Sequence, residues 1–143
     1  MSIELVSLDR SEVLWVTPNV LGYRARFRHR RTEGSALLVP YSGREDALVP
    51  GARLSVETGQ RSVSGLEIVS RWRRIGLREL ATPGDFAVTG KVQLVEDCDV
   101  FYVDVDDLSF AVDLEESGGV APRAKDRVTF VLHGLSLWCD NIW

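Results

Sequence analysis

The sequence has few residues of the kinds that build disulfide frameworks or metal centres. Its 143 residues include two cysteines, Cys98 and Cys139, and only two histidines. Two cysteines cannot form a disulfide framework, and so small a set of sulfur and imidazole ligands argues against a structural zinc site. The composition therefore predicts a reduced protein in the cytoplasm, with no metal and no cofactor.

Long apolar segments are also missing. No hydrophobic run approaches the roughly 18 residues that a membrane-spanning helix needs. The first ten residues, MSIELVSLDR, lack the basic and apolar regions of a secretory signal. We therefore expect no membrane association. Hydrophobic residues nevertheless make up 45% of the chain, which is enough to bury a core and excludes a disordered class.

Lysine is scarce, and the positive charge is carried by arginine in the first part of the chain. There are 2 Lys and 15 Arg in all. Residues 1–80 hold 13 Arg against 9 acidic residues, a balance of +4, whereas residues 81–143 hold 4 basic residues against 12 acidic ones, a balance of −8. This asymmetry predicts an interaction surface on one of the halves, or docking of the two halves on each other.

Helical patterns are rare, and alternation with a period of two dominates. Residues 23–30 alternate most clearly, with Tyr23, Ala25 and Phe27 on one face of a strand. Ten or eleven short segments of this kind are separated by turn residues such as Pro50-Gly51. The pattern predicts an all-β fold with little helix, built as two small five-stranded barrel-like halves of the OB or SH3-like type.

The predicted boundary between the halves lies at residues 76–85, a short helix or linker. The first half covers residues 1–75 and is rich in arginine, and the second covers residues 86–143 and is acidic. Residues 71–80 are the best helix candidate, although Gly76 costs a helix about 1 kcal/mol relative to Ala. The same segment could instead extend the strand before it.

Two stretches of the second half form a pattern. In the first, Gly90-Lys91-Val92 leads to a hydrophobic-Asp pair at Val103-Asp104 and then to an apolar strand at residues 109–112. In the second, the apolar strand 128–132 ends in His133-Gly134. Residues 86–140 thereby resemble the Sm-like proteins, the family of small bent barrels that includes bacterial Hfq.

The resemblance implies a ring-forming barrel whose loops hold single-stranded RNA. The positions that match the family's RNA-binding residues are Asp104, Ser109, His133 and Gly134. Ser109 stands where the family has Asn, one residue further along the motif, and His133 stands where eukaryotic members have Arg. A serine can still donate and accept a hydrogen bond to a base edge. The charge of −8 in this half works against phosphate binding.

Four arginines form the sharpest local feature of the first half. In an extended strand, Arg24, Arg26, Arg28 and Arg30 share one face at spacings of about 7 Å, which suits a phosphate backbone. A solvated strand face, or a face docked on the acidic half, would have the same pattern. The stripe is therefore a candidate surface for nucleic acid, and the alternatives are that it faces solvent or that it packs on the acidic half.

A second basic patch surrounds Trp72. Residues 71–78 carry four arginines, RWRRIGLR. The indole of Trp72 could stack on a base, or it could pack beneath the adjacent loop.

No catalytic motif is present in the sequence. The chain lacks a serine nucleophile elbow, a glycine-rich phosphate loop and a CxxC pair. Cys98 lies in an acidic segment that disfavours a reactive thiolate. Asp104 and Asp106 could face a hard cation, but their spacing does not match a calcium-binding loop. We therefore expect a non-catalytic protein.

The chain ends in an aromatic segment, residues 135–143, which includes Trp138, Ile142 and Trp143. These side chains either pack on the first half or belong to an edge strand that pairs with another subunit. The function predicted from the sequence is a binding module for single-stranded RNA. The alternative is a protein-interaction or structural homo-oligomer that binds no nucleic acid.

Overall fold

The computed structural model describes residues 2–18, 20–40, 46, 48–96, 99–118 and 120–141. The predictions for Cys98, Ile142 and Trp143 lie outside the described residues. The described residues form eleven strands and confirm the all-β fold class: β1 (Ser2–Thr17), β2 (Val20–His29), β3 (Thr32–Val39), β4 (Arg53–Gly59), β5 (Ser62–Val69), β6 (Gly76–Glu79), β7 (Phe86–Glu96), β8 (Val100–Val105), β9 (Leu108–Asp113), β10 (Arg127–His133) and β11 (Ser136–Asn141). In this part of the chain no helix is long and apolar enough to cross a membrane.

Five strands close a barrel in the order β1-β2-β3-β11-β4, and β4 pairs back to β1. The β1–β2 and β2–β3 pairs are antiparallel. Strand β11 runs parallel to β3 and antiparallel to β4, so it closes the gap between them. Of the two arrangements open for the C-terminal segment, Ser136–Asn141 adopts the one that packs on the first half of the chain.

The second sheet is inserted between the fourth and fifth strands of the barrel. Its strand order is β5-β10-β7-β8-β9, and β6 pairs with the first part of β7. The boundary predicted at residues 76–85 therefore falls inside this sheet, because β6 lies there and β5 precedes it. Strand β7 passes β8 very closely at Gly90, where a Cβ atom would lie 2.5 Å from the side chain of Val103.

The helix predicted over residues 71–80 is wrong. Residues 71–73 form turns and a bend, and Gly76–Glu79 is strand β6. Gly76 is a poor helix former, and Leu77 is buried when it pairs with Val88 of β7. Tertiary pairing therefore favours an extended conformation over a helix, but β6 is a separate strand paired with β7 and does not extend β5, the strand before it.

One hydrophobic core serves both sheets. Alternating residues of β8 and β10 point inward, and the buried set runs without a break from Ile3 in β1 to Cys139 in β11. The rings of Phe27 in β2 and Phe86 in β7 lie 6.0 Å apart between centroids, tilted by 43°. Burying one such ring stabilises a fold by about 1.5–3 kcal/mol. The shared core fixes the barrel and the inserted sheet against each other.

Candidate nucleic-acid interface

The arginine stripe lies on the outer face of β2, as its alternation predicts. Ala25 and Phe27 enter the core, while the side chains of Arg24, Arg26 and Arg28 are 55%, 43% and 47% exposed. Arg30 follows in the turn to β3.

Carboxylates neutralise three of these arginines. The ion pairs are Arg24 with Glu12 (3.5 Å), Arg26 with Glu33 (3.6 Å) and Glu79 (3.3 Å), and Arg28 with Glu4 (3.4 Å) and Glu33 (3.3 Å). All four partners belong to the first 80 residues, so these three arginines do not dock on the acidic part of the chain. Such exposed pairs stabilise a fold by about 0–1 kcal/mol. They also cancel the charge that a phosphate would need.

Arg30, at the end of the stripe, does dock on the acidic half of the chain. Arg30 Nε lies 3.7 Å from Asp106 and 3.9 Å from Asp107, in the turn between β8 and β9. The buried His29 ring contacts Asp107 through Nε2. Burial alone would raise the pKa of Asp107, but the hydrogen bond and charge of His29 outweigh it, so the pKa lies below its ordinary value. These contacts clamp the β2–β3 turn to the β8–β9 turn.

A groove of about 850 Å³ opens beside this clamp, between the β2–β3 turn and the segment that leads into β6. We call it the basic groove. Its charged lining residues are Arg30, Arg31, Arg73, Arg74, Arg78 and the single carboxylate Asp106, a formal charge of +4. All five arginines are exposed. Within the described residues, every one except Arg30 lacks a carboxylate at ion-pair distance. Four of the five arginines in the groove therefore have no acidic partner among the residues that the structure describes.

Specific contacts hold the loop that carries Arg73 and Arg74, two of these five arginines. Arg127 of β10 donates a hydrogen bond from Nη1 to the carbonyl of Arg73 (2.6 Å). Ser70 accepts from the amide of Arg73 through its carbonyl (2.9 Å) and from the amide of Trp72 through its hydroxyl (3.2 Å). The loop is thus anchored by its backbone, and the guanidinium groups of Arg73 and Arg74 stay exposed.

Trp72 is next to the groove residues in the chain and is 82% exposed. It does not pack beneath the loop. The guanidinium carbon of Arg71 lies 5.1 Å from the centroid of its ring, a cation–π contact. The indole therefore offers a π-surface to solvent beside a row of cations.

The four positions taken from the Sm-like resemblance form two separate pairs. Asp104 and Ser109 are direct cross-strand partners in β8 and β9. Asp104 also faces Lys91, which in turn faces Arg127 at the start of β10.

His133 and Gly134 lie at the other end of β10, where Gly134 has a φ of 68°. Six strand steps of about 3.3 Å place the two ends of β10 roughly 20 Å apart. The two pairs therefore do not share one loop cluster.

His133 has a defined set of partners instead. Its Nε2 lies 2.9 Å from the hydroxyl of Ser64, and its Nδ1 lies 3.2 Å from a carboxylate oxygen of Asp85. The other oxygen of Asp85 accepts from the amide of Gly134 (3.0 Å). Burial alone would raise the pKa of Asp85, but these hydrogen bonds and the charges of His133 and Arg61 outweigh it, and the pKa lies below its ordinary value.

Sequence reasoning found both basic patches but missed two features. It did not join Arg30 and Arg31 to residues 73–78, which only the pairing of distant strands brings together. It also missed Ser64 and Asp85 as partners of His133, and no local motif could have revealed them. In the part of the chain that the structure describes, no group of three His, Cys, Asp or Glu residues is placed to hold a metal ion.

Comparisons with protein-family models, with curated proteins and with solved structures found no match to this chain. The Sm-like resemblance therefore stays a prediction from the sequence.

Proposed function

We propose that this protein is a binding module for single-stranded RNA and that the basic groove is its binding surface. The observation that carries the proposal is a set of four arginines in that groove that have no carboxylate partner within the described part of the chain: Arg31, Arg73, Arg74 and Arg78. Phosphate contacts by such cations supply much of the affinity of proteins for nucleic acids. The arginine stripe on β2 is a weaker candidate, because carboxylates already neutralise Arg24, Arg26 and Arg28.

The aromatic neighbour of the groove favours a single strand over a duplex. Unpaired bases stack on exposed aromatic rings, and each such contact contributes about 1–3 kcal/mol. Trp72 offers a ring of this kind, held next to Arg73 in the same anchored loop. Bases in a duplex are already stacked and would gain nothing from this ring.

The strand order of the barrel gives a second line of support. The strand order is β1-β2-β3-β11-β4, and β11, the fifth barrel strand along the chain, runs parallel to β3, the third. This order is the one found in OB-fold barrels. Those barrels bind oligonucleotides on the face of their second and third strands and on the loops between the first and second strands and between the fourth and fifth strands. Here the connection between the fourth and fifth strands, β4 and β11, is the inserted sheet, and this segment supplies Arg73, Arg74 and Arg78 to the basic groove.

The test is a fluorescence anisotropy titration with an unstructured, labelled uridine-rich RNA at about 50 and 200 mM salt, a range over which phosphate-driven binding weakens strongly. We expect binding at the lower salt. A triple variant, Arg31→Ser, Arg74→Ser and Arg78→Ser, should lower the slope of log K against log salt by about 2, since each phosphate contact to a single strand contributes roughly 0.7.

A charge-matched control distinguishes an effect of the groove arginines from an effect of the protein's net charge. The variant Arg24→Ser, Arg28→Ser and Arg123→Ser loses the same three charges outside the groove, and we expect it to bind like the parent. Equal losses in both variants, or no binding by the parent at low salt, would overturn the proposal. Competition with DNA of the same sequence and with duplex RNA tests the choice of ligand.

A second candidate function is self-association through the β1–β2 hairpin. Its outer end exposes Val13, Trp15 and Leu21, at 44%, 67% and 40%. Trp15 and Leu21 are direct cross-strand partners, so their side chains form one apolar patch. Contiguous apolar patches on a surface commonly mark protein contacts.

Light scattering after size-exclusion chromatography, over a wide range of concentration, tests this candidate. A second copy of the chain on this patch predicts a dimer that Trp15→Ser weakens and Trp72→Ser leaves intact. A monomer at every concentration excludes it.

A further inference from the structure

The side chains of Ser64, His133 and Asp85 are arranged as a nucleophile, a base and an acid that orients the base. Ser64 lies in β5, His133 ends β10 and Asp85 precedes β7. The imidazole makes one hydrogen bond through each ring nitrogen, with Ser64 Oγ at 2.9 Å from Nε2 and Asp85 Oδ2 at 3.2 Å from Nδ1. Serine triads are identified by this geometry and these roles, and they occur in several chain orders.

The hydrogen-bond chemistry fixes the direction of the proton relay. An ionised carboxylate only accepts hydrogen bonds, so the Nδ1 atom of His133 must carry the proton that bonds to Asp85. In the neutral ring Nε2 is then an acceptor, and the hydroxyl of Ser64 donates to it. The Gly134 amide holds the second oxygen of Asp85 at 3.0 Å and so fixes the plane of the carboxylate.

The nucleophile is accessible. Ser64 is exposed and lies on β5, which is at the edge of its sheet. The next residue, Gly65, has a φ of 66°, and a Cβ atom there would meet nothing within 4 Å. The register against β10 shifts at this point, between Thr129 and Val131, so β5 carries a bulge beside the hydroxyl. Bulges of this kind re-aim a side chain away from the regular sheet.

We propose that Ser64 is a nucleophile activated by His133, and that this surface cleaves small, unhindered esters. Because Ser64 is exposed at the edge of its sheet, the ester reaches the hydroxyl directly from solvent. This activity goes beyond RNA binding and departs from the expectation that the chain is not an enzyme. It does not depend on the basic groove.

The reaction balances with water as the only co-substrate. The Oγ atom of Ser64 attacks the carbonyl carbon while Nε2 of His133 takes the hydroxyl proton. Nε2 then gives this proton to the departing alcohol, which leaves an acyl ester on Ser64. Water attacks that ester, its proton passes through Nε2 back to Oγ, and the carboxylic acid departs. Asp85 stays ionised throughout and acts as a positioning residue.

The test uses a fluorophosphonate probe, which traps an activated serine when the Oγ–P bond forms and fluoride leaves. Intact-mass spectrometry should show one probe adduct per chain, and peptide mapping should place it on Ser64. Ser64→Ala should abolish the adduct, while Ser62→Ala, two residues along the same strand, should keep it. His133→Gln should slow labelling by about 100-fold or more, the range for loss of a general base.

Hydrolysis of p-nitrophenyl acetate by the same set of proteins is the second readout. We expect turnover by the parent and by Ser62→Ala, and none above background with Ser64→Ala. No adduct on the parent protein, or an adduct that persists in Ser64→Ala, would overturn the proposal. The Ser64→Ala variant should bind RNA like the parent, so failure here is distinguishable from failure of the basic groove.

Discussion

The carboxylate of Glu79 accepts a hydrogen bond from the backbone amide of Ser35 at 2.6 Å, and this contact joins the inserted sheet to the barrel. Glu79 lies in β6, and Ser35 lies in β3. The same carboxylate pairs with Arg26 of β2 at 3.3 Å and accepts from the amide of Gly84 at 3.4 Å. One side chain of the inserted sheet therefore satisfies three donors, two of which are on the barrel.

Replacing Glu79 by Ala should destabilise the fold by about 1–3 kcal/mol, because the half-buried Ser35 amide loses its acceptor. Glu57→Ala is the matched control. Its side chain is exposed on β4, and a surface change of this kind stays within about 0.5 kcal/mol. Urea denaturation of the three proteins measures both values. Equal stability of Glu79→Ala and Glu57→Ala would mean that the contacts of Glu79 with the barrel do not contribute to the free energy of unfolding.

Gly34 of β3 lies directly against a core side chain of the inserted sheet. A Cβ atom at this position would lie 2.5 Å from the ring of Phe86, which is fully buried. We expect Gly34→Ala to cost about 1–3 kcal/mol through overpacking. Gly76→Ala is the control, because a Cβ atom there meets nothing within 4 Å. A thermal melt in which both variants match the parent would show that the Phe86 ring moves aside freely.

Much of the fold could be predicted from the sequence because alternation is a local signal. The strands around Phe27, Val103 and Phe130 show it clearly, and their inward faces are the ones that alternation predicts. The placement of β11 could not be predicted in this way. Its parallel pairing with β3 joins residues about a hundred positions apart, and nothing in Ser136–Asn141 specifies that partner.

In the candidate site, too, local patterns could be predicted from the sequence, whereas contacts between distant residues could not. The stripe at Arg24, Arg26 and Arg28 is visible in the sequence, but its neutralisation depends on glutamates from three other strands. Ser64 and Asp85 are 69 and 48 residues away from His133 along the chain. Only the register of β5 against β10 brings Ser64 beside the histidine, so no spacing rule could have found this set.

The contact between Asp107 and His29 predicts a dependence of stability on acid pH. The pKa of Asp107 is lower in the folded state than its ordinary value of 3.8. The unfolded chain therefore binds the proton first as the pH falls, and the contribution of Asp107 is present above about pH 4 and lost below it. Urea denaturation at a series of pH values should show this fall in the free energy of unfolding.

The variant Asp107→Asn cannot lose a proton, so it should show a smaller fall over the same acid range. Asp113→Asn is the control, since Asp113 lies exposed at the end of β9 and has no ion pair among the described residues. An identical pH profile for the parent and Asp107→Asn would show that this clamp does not contribute to acid sensitivity.

Two exposed tryptophans in the described part of the chain give the sharpest test of where RNA binds. Trp72 is 82% exposed beside the basic groove, and Trp15 is 67% exposed at the end of the β1–β2 hairpin. If a base stacks on Trp72, then Trp72→Ala should cost about 1–3 kcal/mol of binding, which is roughly 5-fold to 150-fold in Kd. Trp15→Ala should leave the Kd unchanged.

The slope of log K against log salt distinguishes base stacking from phosphate binding. Trp72→Ala removes no cation, so it should leave this slope unchanged. Quenching of tryptophan fluorescence by RNA should likewise be present in Trp15→Ala and reduced in Trp72→Ala. A loss of affinity in Trp15→Ala and not in Trp72→Ala would move the interface from the basic groove to the hairpin. The neutralised arginines of β2 would then have to exchange their glutamates for phosphates, and binding would grow stronger when Glu12 or Glu33 is replaced by Gln.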